Sequence, residues 1–121
     1  MNIGILCYPT YGGSGVIATE LGKALAVKGH TIHFISYNQP VRLDTFNENI
    51  FFHEVRFNNY PLFKFPPYET VLTSKIVDVV KNHNLDVLHV HYAIPHAAAA
   101  AMAKNILKKM KRVQNACVVG I

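Results

Sequence analysis

Tryptophan is absent, and only two cysteines occur, Cys7 and Cys117. No CxxC pair exists, which removes the usual thiol-redox and zinc-ribbon patterns. Both cysteines fall on expected strands, and nothing in the sequence pairs them, so they read as buried thiols in a reducing cytosol. Long apolar runs are missing too. The longest, residues 92–103, is interrupted by Pro95 and His96 and falls short of the about 20 residues a membrane span needs. The first residues carry no charged n-region and no cleavage site and enter a strand at once, so no secretory leader is expected. The resulting expectation is a soluble, cytoplasmic protein. A P-loop is excluded, because no G-x-x-x-x-G-K-[ST] occurs.

Acidic residues are few, and this shapes the charge balance. Residues 1–103 hold seven Lys or Arg and seven acids. The whole net charge of +5 comes from Lys104, Lys108, Lys109, Lys111 and Arg112. One cluster at the end of an expected helix is favourable to the helix dipole. It is not the extended basic face of a nucleic-acid binder. Half of the 121 residues are apolar, and this length supports one domain with a real core.

What is present is organised around Pro9-Thr10-Tyr11-Gly12-Gly13-Ser14-Gly15. An apolar strand, residues 2–8, precedes it, and a helical pattern, residues 15–27, follows. Strand, glycine turn and helix make the first unit of a Rossmann-type sheet. Glycines reach backbone angles that other residues avoid and let a ligand approach the main chain. Ser14 is placed to cap the helix. The first helical amides, unpaired and partly positive, favour an anion. The plainer alternative is a tight turn that lets helix and strand pack closely.

The helix stripe is Val16, Ile17, Leu21, Ala24 and Leu25, and Gly29 ends the pattern. Strands follow at 31–36 and 50–55, separated by a polar loop. Three prolines interleaved with aromatics (Tyr60, Pro61, Phe63, Phe65, Pro66, Pro67, Tyr68) read as a long loop pinned to the body. A helix at 69–82 carries Val71, Leu72, Ile76, Val79 and Val80 inward. A strand at 86–91 and a helix at 95–111 complete the pattern, with Pro95 in its first turn. The five alanines 97–101 allow a neighbour to approach closely. Residues 116–119 suggest a fifth strand. The alternation argues for an α/β, Rossmann-like doubly wound parallel sheet, with ligands at the carboxyl ends of the strands. That rule singles out the glycine turn, Tyr37-Asn38 and His91-Tyr92.

Several chemistries compete for that edge. Gly13-x-Gly15-x-x-Ala18 matches the dinucleotide fingerprint, but the acid expected after the second strand is replaced by Ser36-Tyr37-Asn38-Gln39, which argues against NAD or FAD. His89 and His91 share a strand face and could begin a zinc site, yet a third ligand must come from elsewhere. One core histidine and one at the active edge is the favoured reading. His30, His33, His53 and His83 read as surface or half-buried groups without partners. Ser14 lacks the G-x-S-x-G context of a nucleophile.

Cys7-Tyr8-Pro9 with Gly12-Gly13-Ser14-Gly15-Val16-Ile17-Ala18-Thr19-Glu20-Leu21-Gly22 resembles the opening of the N-acetylglucosaminyl L-malate synthases of bacillithiol biosynthesis, which are family 4 retaining glycosyltransferases. Phe52-His53-Glu54-Val55, Phe63-Lys64-Phe65-Pro66-Pro67-Tyr68 and Leu88-His89-Val90-His91-Tyr92-Ala93-Ile94-Pro95-His96-Ala97 continue the resemblance, which covers residues 1–109. It implies the N-terminal, acceptor-side half of a GT-B fold. It implies transfer of N-acetylglucosamine from UDP-GlcNAc to L-malate with retained configuration, no cofactor and no metal. Gly13, Ser14 and Tyr92 would surround the acceptor and the sugar phosphates, with Gly12 and Gly15 shaping the loop; the strand-edge rule separately gives His91 a polar contact at the same edge.

The family continues with a His-Gly-Thr-Asp turn and a donor-binding domain. Neither follows Lys109 here. The expectation is therefore an incomplete domain over residues 1–121, inactive alone, with catalytic residues outside the chain. A non-catalytic binding module for a small carboxylate is the alternative, as is half of a split enzyme that takes a C-terminal domain in trans. An unfinished sheet edge further suggests self-association.

Overall fold

The computed structural model describes residues 1–8, 14–38, 48–56 and 68–109. Four strands, β1 (Asn2–Leu6), β2 (Thr31–Ser36), β3 (Ile50–Glu54) and β4 (Val87–Val90), form one parallel sheet in the order β3-β2-β1-β4. Among the described residues three α-helices accompany them: α1 (Ser14–Val27) between β1 and β2, α2 (Tyr68–His83) between β3 and β4, and α3 (Ala98–Lys109) after β4. The doubly wound expectation holds. The expected fifth strand at 116–119 lies outside the described residues.

Each side of the sheet has its own core. Ile3, Ile5, Cys7, Ile32 and Phe34 face α1. Leu6, Ile35, Leu88 and Val90 face α2 and α3. Strands buried on both faces account for the unbroken apolar runs. Burying a side chain such as Phe34 contributes about 1.5–3 kcal/mol.

The buried stripe of α1 differs from the sequence reading. Ile17 is 54% exposed, whereas Ala18 and Ala26 are buried. Gly22 lies between them, and a Cβ there would stand 2.3 Å from Phe34 Cζ. Small residues every four positions seat the helix close to the sheet, and bulkier ones flank the contact. Thr19 is also buried and donates from Oγ1 to the Gly15 carbonyl at 2.8 Å. The helix ends as expected at Gly29, whose φ is 95°. His30 N–H donates to the Leu25 carbonyl and Gly29 N–H to that of Ala26, the paired bonds of a Schellman cap.

Across the sheet, α2 buries Leu72, Thr73, Ile76, Val79 and Val80, close to the expected stripe. Ala99, Ala100 and Ala103 of α3 are buried against this core. Thr73 Oγ1 lies 3.5 Å from the Ala99 carbonyl, so the alanines do admit a close neighbour. At the amino end of the sheet Asn2 ties β1 to the segment after α2. Its N–H donates to Asp86 Oδ2 at 2.8 Å, and its side-chain amide donates to the His83 carbonyl at 3.2 Å.

Candidate functional site

The carboxyl ends of β1, β2 and β4 carry Tyr8, Tyr37 and His91-Tyr92. Tyr8 is central among the aromatic rings. Its ring centroid lies 6.2 Å from Tyr37, 5.1 Å from Tyr92 and 4.3 Å from His96. The contacts with Tyr37 and Tyr92 are edge-on, a geometry that adds about 0.5–1.5 kcal/mol each beyond area burial. Burial, with the neighbouring phenols of Tyr37 and Tyr92, raises the Tyr8 pKa. Cys7, beneath it, is fully buried, and burial pushes its thiol up to about 12, so it is no nucleophile at neutral pH.

Beyond β4 the backbone departs from the expected helix. Tyr92 has φ 76°, an uncommon angle for an aromatic residue. Residues Ala93–Ala97 then form a π-helical turn, closed by Ala97 N–H donating to the Tyr92 carbonyl at 3.0 Å. Strained residues and π turns concentrate at functional sites. The regular helix starts only at Ala98, so the expected start at Pro95 is corrected: this wider turn comes first.

The turn places His96, which is fully buried. Its Nδ1 lies 2.8 Å from the His91 carbonyl, and its Nε2 lies 2.8 Å from the Tyr68 hydroxyl. A carbonyl only accepts, so Nδ1 carries the proton and Nε2 accepts from Tyr68. Burial lowers the His96 pKa, partly offset by the bond to His91. Burial, followed by Tyr8, Tyr37 and Cys7, raises that of Tyr68. The result is a neutral chain of hydrogen bonds from the first residue of α2 to the backbone just past β4.

The expected site residues divide. Gly12 and Gly13 lie outside the described residues. Ser14 is the first residue of α1. Gly15 is buried in the first turn of α1. His91 is fully buried and His89 partly so, with their Nε2 atoms 3.1 Å apart. Burial lowers the pKa of both, and for His91 the neighbouring His89 and His96 add to the effect. Tyr92 is 38% exposed. His91 thus acts on its surroundings through its carbonyl, and Tyr92 presents its ring. Among the described residues neither Ser36 Oγ nor His91 Nδ1 has a hydrogen-bond partner, and both are buried at this same edge. Orphaned buried polar atoms are uncommon, and they mark a place where polar groups are still to be satisfied.

The sequence reading missed the roles of Tyr8, Tyr68 and His96. Their only signal was position: each falls just past a strand or at a helix start on the ligand edge. The absence of partners for His33, His53 and His83 is also overturned. His33 Nδ1 lies 2.9 Å from His53 Nε2, and both rings lie tilted beside His83, with centroids 4.7 and 4.8 Å away.

Residues 11–114 match the model of Glycosyltransferase Family 4. The chain belongs to glycosyltransferase family 4. A member from Bacillus anthracis, N-acetyl-alpha-D-glucosaminyl L-malate synthase, is 55% identical over 107 residues, covering 88% of this chain and 28% of that protein. The chain therefore spans just over a quarter of that relative's length. The C-terminal domain of a Pyrococcus furiosus hydrogenase superposes with a TM-score of 0.56 at 12% identity, covering 97% of this chain and 89% of that one, a likeness of fold alone. Among the described residues, no helix of this family 4 chain is long and apolar enough to cross a membrane.

Proposed function

We propose that the chain supplies the acceptor side of a retaining glycosyltransferase that moves N-acetylglucosamine from UDP-GlcNAc to the hydroxyl of L-malate. The observation that carries this reading is the 55% identity to the Bacillus anthracis synthase. The geometry described above supports it. Malate is a small dicarboxylate, and the start of α1 offers unpaired amides for an anion. Gly12, Gly13, Ser14 and Gly15 bring the main chain to the acceptor. Tyr92 walls the same edge together with Tyr8, and His91 holds His96 in place beneath them. The chemistry needs no cofactor or metal in this scheme, and the residues that act on the sugar come from a donor-binding domain. The same reading places the protein in the cytoplasm.

A chimaera tests the proposal. Residues 1–109 replace the matching stretch of the Bacillus anthracis synthase, and malate-dependent UDP release is measured. Turnover within about tenfold of the parent enzyme is expected. A chimaera that folds by circular dichroism but releases no UDP in the presence of malate contradicts the reading. Self-association belongs to the same proposal, because β4 has no outer neighbour among the described strands. Light scattering should then show a dimer or larger species, and a monodisperse monomer at high concentration counts against it.

A further inference from the structure

A second cluster, apart from the aromatic ligand edge, gathers where the last residue of α2 meets β2 and β3. His33 comes from β2, His53 from β3 and His83 from the last position of α2. One ligand-capable nitrogen of each lies within 4.8 Å of the others. His33 is buried and His53 partly so. Strand register explains the pairing. Ile35 lies opposite His53 and His33 opposite Phe51, so the two imidazoles meet diagonally on the face that α2 covers.

We propose that His33, His53 and His83 form a three-imidazole site for a divalent transition metal of the zinc class. Imidazole nitrogens suit zinc, copper and nickel and leave magnesium and calcium to oxygen ligands. Zinc holds nitrogen at about 2.0–2.1 Å, which puts tetrahedral ligand atoms about 3.3 Å apart. The 2.9 Å separation of His33 and His53 brackets that spacing from below, and the 4.8 Å limit brackets it from above. Rotation of the imidazole of His83, which sits at a helix end, closes the site. Water takes the fourth position. The ion would staple two strands to the end of α2, and a metal that binds only the folded chain stabilises it. Lys75, two turns before His83 on α2, brings a positive charge near His53. It opposes the cation and weakens the site relative to one with a carboxylate.

The test uses tag-free chain stripped of metal and titrated with zinc chloride by calorimetry and with cobalt chloride by visible absorption. One saturable zinc per chain is expected, with a rise in Tm and intense cobalt bands of four-coordinate geometry. His83→Gln and His53→Gln should each weaken zinc at least about tenfold. His89→Gln, which alters the other histidine pair, should leave it unchanged. His83→Gln changes a helix-end residue and keeps the test independent of folding failure. No saturable zinc binding at micromolar concentration overturns the proposal. So does zinc binding that survives His83→Gln or is lost with His89→Gln.

Discussion

The two ends of one sheet use histidine in opposite ways. At the carboxyl end, each nitrogen of His96 has a distinct partner, a carbonyl and a phenol, so the ring has one tautomer and one orientation. Toward the amino end, where α2 terminates, His83 meets His33 and His53, and the latter two share one hydrogen bond between imidazoles. The helix α2 joins the ends: Tyr68 is its first residue and His83 its last, about 22 Å apart at 1.5 Å per residue. A ring fixed by unlike partners is a positioning device. Rings that bond to each other, with Phe51 stacked on His33, can turn the same nitrogens to an ion once the shared proton leaves.

The largest expected effect comes from breaking the carboxyl end. His96→Ala removes a fully buried ring and strands both the His91 carbonyl and the Tyr68 hydroxyl. A loss of about 3 kcal/mol in urea unfolding is expected. Tyr68→Phe leaves His96 Nε2 without its donor and should cost about 1–3 kcal/mol. A loss below about 0.5 kcal/mol for both would mean that the hydrogen-bond chain is not formed.

The amino end should respond to pH in metal-free protein. Burial and the nearby His83 hold His33 down from 6.5 to about 4, and burial with His33, His83 and Lys75 does the same for His53. Between pH 6.5 and 4 the unfolded chain therefore binds more protons than the folded one, and stability falls as pH falls. Denaturation midpoints at pH 7 and pH 5 should show this drop. His33→Asn with His53→Asn should reduce it, leaving the part due to His89, His91 and His96, and an unchanged slope would contradict the buried, neutral cluster. The smallest effect on stability is expected at Tyr92. Asparagine tolerates its positive φ, so Tyr92→Asn should stay within about 1 kcal/mol of the parent. Its malate affinity should nevertheless drop at least about tenfold, measured by calorimetry.

Much of this fold was legible in the residues. Apolar strands, the α2 stripe and Gly29 each follow from local rules that tertiary contacts do not override. The α1 stripe was not legible, because hydrophobicity ranks Ile17 above Gly22 while packing against Phe34 requires no Cβ at all. Gly12 and Gly13 lie outside the described residues. At the strand edge, the place of Tyr92 was visible through the sheet-edge rule. His96 was not, since its role depends on a π-helical turn that follows from no propensity. The His33–His53–His83 cluster was hidden for another reason. Its members are 20 and 30 positions apart, and only strand register and the path of α2 bring them together.

The most direct test of the central claim is an NMR titration of the isotope-labelled chain with L-malate. The account predicts shifts at Tyr8, Gly15, Tyr92 and the His96 ring, which keeps its proton on Nδ1, with His33, His53 and Gly29 unmoved. Shifts centred on the amino end, or none at saturating malate, would contradict it.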